Sequence, residues 1–118
     1  MSPELMELVA ERFRVLGDPV RIRLLQELEP GEKNVGQLVR AVGSTQPNVS
    51  RHLRILQEAG IVGRRPEGNN VYYFLADRGV FELCDAVCAS LRDRLRSWEE
   101  MLSGATPRGH GSGSASSR

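Results

Sequence analysis

The chain has 118 residues and no run close to the eighteen or so apolar residues that a membrane-crossing helix needs. Its two cysteines, Cys84 and Cys88, are too few for a disulfide framework, so free thiols in a reducing compartment are expected. The amino terminus carries Glu4, Glu7 and Glu11 where a secretory signal would carry a basic patch and an apolar stretch; a cytoplasmic location is expected. No paired nucleophile and base, phosphate-cradling glycine loop or metal-ligand cluster is visible, which argues against an enzyme. Internal repeats are also missing. One domain with a single modest core fits this length.

The small net charge, +1, conceals an uneven layout. Residues 1–35 carry five Lys/Arg and seven Asp/Glu, a balance of −2; residues 36–78 carry six and three, +3; residues 79–118 carry five of each. The basic middle third suits a phosphate-bearing partner.

That middle third contains the most informative stretch, Ser44 to Gly60. It reads as a short helix, with Ser44 as its cap, Pro47 tolerated in the first turn and Gly60 as its stop. Val49, Leu53 and Leu56 recur at helical spacing and face a core. Gln46, Asn48, Ser50, Arg51 and Arg54 then point outward. Gln and Asn pair with adenine, Arg with guanine, and Ser with bases or phosphates. These are the side chains of a helix that lies in a DNA major groove. The same pattern also describes an ordinary amphipathic surface helix, so the flanking elements decide between the two.

Ser2-Pro3-Glu4 predicts a first helix, bearing Leu5, Leu8, Val9, Phe13 and Leu16 and ended by Gly17. Asp18-Pro19 starts a second, with Val20, Ile22, Leu24, Leu25 and Leu28. After a turn at residues 29–33, Asn34 caps a third short helix closed by Gly43. The next helix follows with almost no linker, which forces the sharp angle of a helix-turn-helix. Residues 61–75 read as a basic β-hairpin around Gly68-Asn69-Asn70, with Arg64 and Arg65 on the approach and Pro66 suited to an edge. Placed directly after the groove helix, the hairpin is a wing that reaches phosphates. As a plain hairpin it would pack Tyr72 and Phe74, or Tyr73 and Leu75, onto the core.

Residues 78–102 form a last, long helix. Val80, Cys84, Val87, Leu91, Leu95, Trp98 and Leu102 repeat at alternating spacings of four and three, a heptad-like seam. Together with the first helix, through Leu5, this seam is expected to pair with a second copy. Residues 1–102 are thus read as the DNA-binding and dimerisation domain. Residues 103–118, with His110, are read as a disordered Gly/Ser-rich tail.

Three segments resemble, in order and spacing, the ArsR/SmtB family of bacterial repressors. Phe13-Arg-Val-Leu-Gly-Asp-Pro-Val-Arg-Ile-Arg-Leu-Leu25 is similar to its opening motif. Residues 49–62 are similar to its recognition helix, and residues 68–75 to its wing. The resemblance implies a mainly α winged helix-turn-helix with a small β-hairpin, a homodimer on an inverted-repeat operator, and release by an effector. By position it assigns Gln46, Pro47, Ser50 and Arg51 to the groove. Its metal sites are not matched. Cysteines that many arsenic and cadmium sensors carry at the third helix are Asn34 and Gly36 here. Along the last helix, Asp77 and Asp93 fall at ligand positions of the zinc and nickel sensors, but the histidine positions hold Gly79 and Ser90, a poor zinc site.

Cys84 and Cys88 lie one helical turn apart and share a face. Two thiolates there can hold a soft ion such as As(III), Sb(III), Cd or Pb, or answer a thiol-reactive signal; equally, cysteine fills apolar seams as a small hydrophobe. A direct disulfide fits poorly, since i, i+4 β-carbons sit about 5–6 Å apart against roughly 3.5–4.5 Å. His52 is expected to pack or bind phosphate. The expected function is a dimeric repressor. Gln46, Asn48 and Ser50 read bases; Arg51, Arg54, Arg64 and Arg65 supply phosphate attraction. The alternatives are an effector-independent DNA-binding regulator and a winged-helix protein-interaction module.

Overall fold

The computed structural model describes residues 1–104. Helices are α1 (Pro3–Leu16), α2 (Pro19–Leu28), α3 (Val35–Val42), α4 (Gln46–Glu58) and α5 (Arg78–Leu102); strands are β1 (Lys33–Asn34), β2 (Val62–Glu67) and β3 (Asn70–Leu75). The expected mainly α fold with a hairpin wing is what forms. The expected tail at 103–118, with His110, lies outside the described residues except for a turn at Ser103 and Gly104.

The chain divides into two compact units, Met1–Phe81 and a second that begins at Glu82. In the first, local signals start each helix. Ser2 Oγ accepts from the Leu5 amide at 3.1 Å, and Asp18 Oδ1 accepts from the Val20 amide at 2.9 Å. Asn34 and Gln37 cap α3 reciprocally: the Gln37 amide donates to Asn34 Oδ1 and the Asn34 amide to Gln37 Oε1. Each bond satisfies an amide with no partner inside its helix. Gly43 ends α3 at φ 67°, a left-handed position that glycine enters without a Cβ clash.

Leu24, Leu25, Leu28, Leu38, Leu53 and Leu56 are fully buried and form the centre of the core. The strands run antiparallel in the order β1-β3-β2, with Val62 opposite Leu75 and Glu67 opposite Asn70. Pro66 sits on edge strand β2, where its missing amide costs no ladder bond. Strand β1 falls where only a turn and a cap were expected. Lys33 pairs with Tyr73 and Asn34 with Tyr72, adding a third strand to the hairpin. Gly63 lies under Phe74, and a Cβ at residue 63 would overlap that ring.

Two rows of apolar side chains are exposed in the single chain. On α1 they are Leu5, Leu8, Val9 and Phe13; on α5, within the second unit, Val87, Leu91, Leu95 and Trp98 are each about half exposed. Val80, expected in the α5 seam, is instead buried at 5% in its own protomer.

Candidate nucleic-acid interface

Helix α4 is held from one side. Val49, Leu53 and Leu56 have no exposed surface, so the helix cannot roll, and its opposite face is fixed in direction. Thr45, not Ser44, is its cap: Thr45 Oγ1 accepts from the Asn48 amide at 3.3 Å. Ser44 is engaged elsewhere, because its hydroxyl accepts from the Asn48 side-chain amide at 2.8 Å.

The outward face carries the side chains expected from the sequence, and they are linked to one another. Gln46 Nε2 donates to Ser50 Oγ at 2.9 Å, which leaves the Gln46 carbonyl and the Ser50 proton free for a base edge. Arg51 Nη2 donates to Asn48 Oδ1 at 3.0 Å. Asn48 therefore has its amide nitrogen on Ser44 and its carbonyl on Arg51, and it is half-buried where Gln46, Pro47, Arg51 and Arg54 are exposed. A role in holding neighbours competes with base reading at this residue.

The wing arginines differ. Arg64 is exposed and, like Arg51 and Arg54, meets no acidic side chain within ion-pair distance among the described residues. Arg65 bonds both Glu32 and Glu67, and its guanidinium lies 5.2 Å from the Tyr72 ring centre. The hydrogen bond from Arg65 holds the Glu32 carboxyl below its ordinary range, and the two acids raise the Arg65 value. Its charge is largely answered within the protein, which the sequence expectation of a phosphate contact did not foresee.

Behind the face lies His52, buried at 3%. Arg21 Nη1 is 3.1 Å from its Nδ1 and Arg51 Nη2 is 3.3 Å from its Nε2. Burial lowers its pKa; Asp18 opposes the shift, and Arg51 and Arg21 add to it. The Arg21–His52 link was missed in the sequence, although Arg21 stands in the helix that Asp18 caps.

The thiols of Cys84 and Cys88 are free and half-buried, one turn apart on α5. Burial pushes the Cys84 thiol up, and Asp85 adds to the shift. Among the described residues no group of three His, Cys, Asp or Glu side chains could hold a metal ion. Asn34 is occupied as a helix cap, and Asp77 is paired with Arg12 at 2.9 Å.

A helix-turn-helix with a polar face turned outward and a β-wing behind it defines a DNA-binding transcriptional regulator. Residues 18–63 match the family model of the bacterial regulatory protein arsR family. The chain is 34% identical over 110 residues to the HTH-type transcriptional regulator Rv0081 of Mycobacterium tuberculosis, covering 89% of this chain and 96% of that protein. The repressor SmtB of the same organism is 37% identical over 93 residues, 78% of this chain and 69% of SmtB. The crystal structure of Rv0081 matches with a TM-score of 0.69 at 36% identity, covering 84% and 98% of the two chains. The solution structure of the homodimeric winged helix-turn-helix domain of Mb0332 from Mycobacterium bovis matches with a TM-score of 0.70 at 28% identity, covering 80% and 91%. The crystal structure of AntR, an antimony-specific transcriptional repressor, gives 0.72 at 27% identity, covering 80% and 86%. The chain belongs to the ArsR family of bacterial regulatory proteins.

Proposed function

We propose that this protein is a homodimeric cytoplasmic repressor that grips an inverted-repeat operator. Two α4 helices would enter successive major grooves about 34 Å apart. The observation that carries this reading is the anchoring of α4: three side chains without exposed surface fix a face that presents Gln46, Pro47, Ser50 and Arg51. In this reading Gln46, Ser50 and Arg51 meet base edges, with Pro47 adding shape or touching a thymine methyl. Arg54 and Arg64 take phosphates. Arg65 reaches a phosphate only by leaving Glu32 and Glu67.

In this reading the dimer forms by the α1 row around Leu5 and the α5 row Cys84, Val87, Leu91, Leu95 and Trp98. Among the described residues no helix is long and apolar enough to cross a membrane.

Release from DNA works through the α5 seam. Thiols one turn apart, doubled by the dimer, suit a soft metalloid or metal: As(III), Sb(III), Cd or Pb. AntR, a structural neighbour, is an antimony-specific repressor. A regulator without effector is favoured by the half-buried setting of both thiols, which suits packing in an apolar seam and raises the Cys84 thiol.

The deciding experiment is a fluorescence anisotropy titration of a duplex recovered by selection from a randomised pool. Affinity falls steeply with salt if α4 and the wing hold DNA, and hardly changes if the fold is a protein-interaction module. Antimonite, arsenite, cadmium or lead then releases the wild type but not the Cys84→Ser/Cys88→Ser double variant. Failure of all four, and of a thiol oxidant, to release the wild type leaves the effector-independent regulator.

A further inference from the structure

His52 is the buried polar residue of the first unit, and it stands between two guanidiniums. A guanidinium only donates hydrogen bonds, and a neutral imidazole has one accepting nitrogen. The ring therefore serves one arginine at a time. Arg21 is the fixed one: its Nε donates to the Val15 carbonyl, and its Nη2 lies 3.4 Å from the Arg14 carbonyl. Arg51 is exposed. With Arg21 the fixed partner, the acceptor is assigned to Nδ1 and the ring proton to Nε2. There it faces Arg51 Nη2 and, at 4.0 Å, Asp18 Oδ1.

An N–H turned against a guanidinium gives Arg51 no inward acceptor. Its one side-chain acceptor among the described residues is Asn48 Oδ1, and Asn48 is itself pinned by Ser44. We propose that His52 and Asn48 are positioning residues for Arg51: the ring denies the guanidinium a bond toward the core, and the amide holds one corner so the remaining N–H groups face a guanine. This rests on the reading of Arg51 as a base-contacting side chain.

Asparagine and glutamine separate the two sides of the ring. An asparagine amide reaches the place of Nδ1 and can still accept from Arg21. A glutamine amide reaches the place of Nε2 and offers Arg51 the inward acceptor that histidine withholds.

The test measures discrimination, the affinity ratio between the selected duplex and the same duplex with each guanine replaced in turn. Arg51→Ala identifies the guanine it reads, with a loss of about tenfold in that ratio. His52→Gln and Asn48→Ala each lose a similar factor at the same base pair, and His52→Asn retains it. In an Arg51→Ala background neither His52→Gln nor Asn48→Ala lowers the ratio further, because both act through the missing side chain.

Additive losses would make Asn48 a base reader in its own right and overturn the proposal. So would equal losses in His52→Asn and His52→Gln, the mark of a residue that only packs. Asn48 is outside the core, so its variant stays informative if a His52 variant unfolds. If Arg51→Ala discriminates as well as the wild type, the base-reading assignment itself fails. If it does not, while His52→Gln and Asn48→Ala behave as wild type, only the positioning role fails.

Discussion

Arg12 Nη1 lies 2.9 Å from Asp77 Oδ2, and its Nη2 donates to the Ala59 carbonyl at 3.1 Å. One guanidinium thus joins α1 to the end of α4 and to the residue before α5. The same pair occupies Asp77, one of the two acids that the family resemblance placed at metal-ligand positions.

Both partners are more than one-third exposed, so the ion pair itself contributes only about 0.5–1 kcal/mol. Arg12→Ala also leaves the Ala59 carbonyl without its donor. The expected loss of stability is on the order of 1–2 kcal/mol by urea unfolding. A variant as stable as the wild type would mean that water replaces the guanidinium without cost.

His52 gives stability a pH dependence with a fixed sign. Burial holds its pKa below the ordinary 6.5 in the folded chain. The unfolded chain therefore binds more protons near that pH, and stability rises with pH there. It is intact above about 6.5 and falls as the pH drops below that value. Melting curves at a series of pH values between roughly neutral and mildly acidic conditions should move down with acid in the wild type. They should move much less in His52→Asn, which cannot take up the proton.

The wing arginines should separate by salt dependence. Removing one phosphate contact lowers the slope of log affinity against log salt by about one. Arg64→Ala is expected to do so in each protomer. Arg65→Ala should change the slope less, since Glu32 and Glu67 already answer its charge. Glu32→Gln should strengthen DNA binding by releasing it. Equal slopes for the two arginine variants would mean that DNA pulls Arg65 off its carboxylates.

Trp98 is 55% exposed in the single chain, in line with Leu91 and Leu95. Aromatic side chains of this kind anchor interfaces, and losing one costs about 2 kcal/mol or more. Trp98→Arg should raise the dimer dissociation constant by well over tenfold, read by sedimentation or light scattering across a concentration series. Persistence of the dimer at the lowest concentration would place the interface elsewhere.

What the sequence disclosed divides along the range of the forces involved. Ser2, Asp18, Asn34 and Gly43 act on amides or turns a few positions away, and their roles were legible. Ser44 and Thr45 both offer a hydroxyl, and the cap fell to Thr45 because the Asn48 side chain claims its neighbour. Strand β1 has two residues and exists only through pairing with Tyr72 and Tyr73, so no local pattern announces it. Arg65 looked like a phosphate contact until Glu32, 33 positions earlier, came beside it. Val80 has the spacing of the α5 seam, yet the protomer's own interior takes it.

Asn34 belongs to two structures at once: it pairs with Tyr72 of the wing and caps the helix that precedes α4. Tilting the hairpin therefore drags the start of α3 with it. On the proposed DNA-binding reading, wing and reading head would therefore grip and let go together, as one clamp rather than as two fingers released in turn.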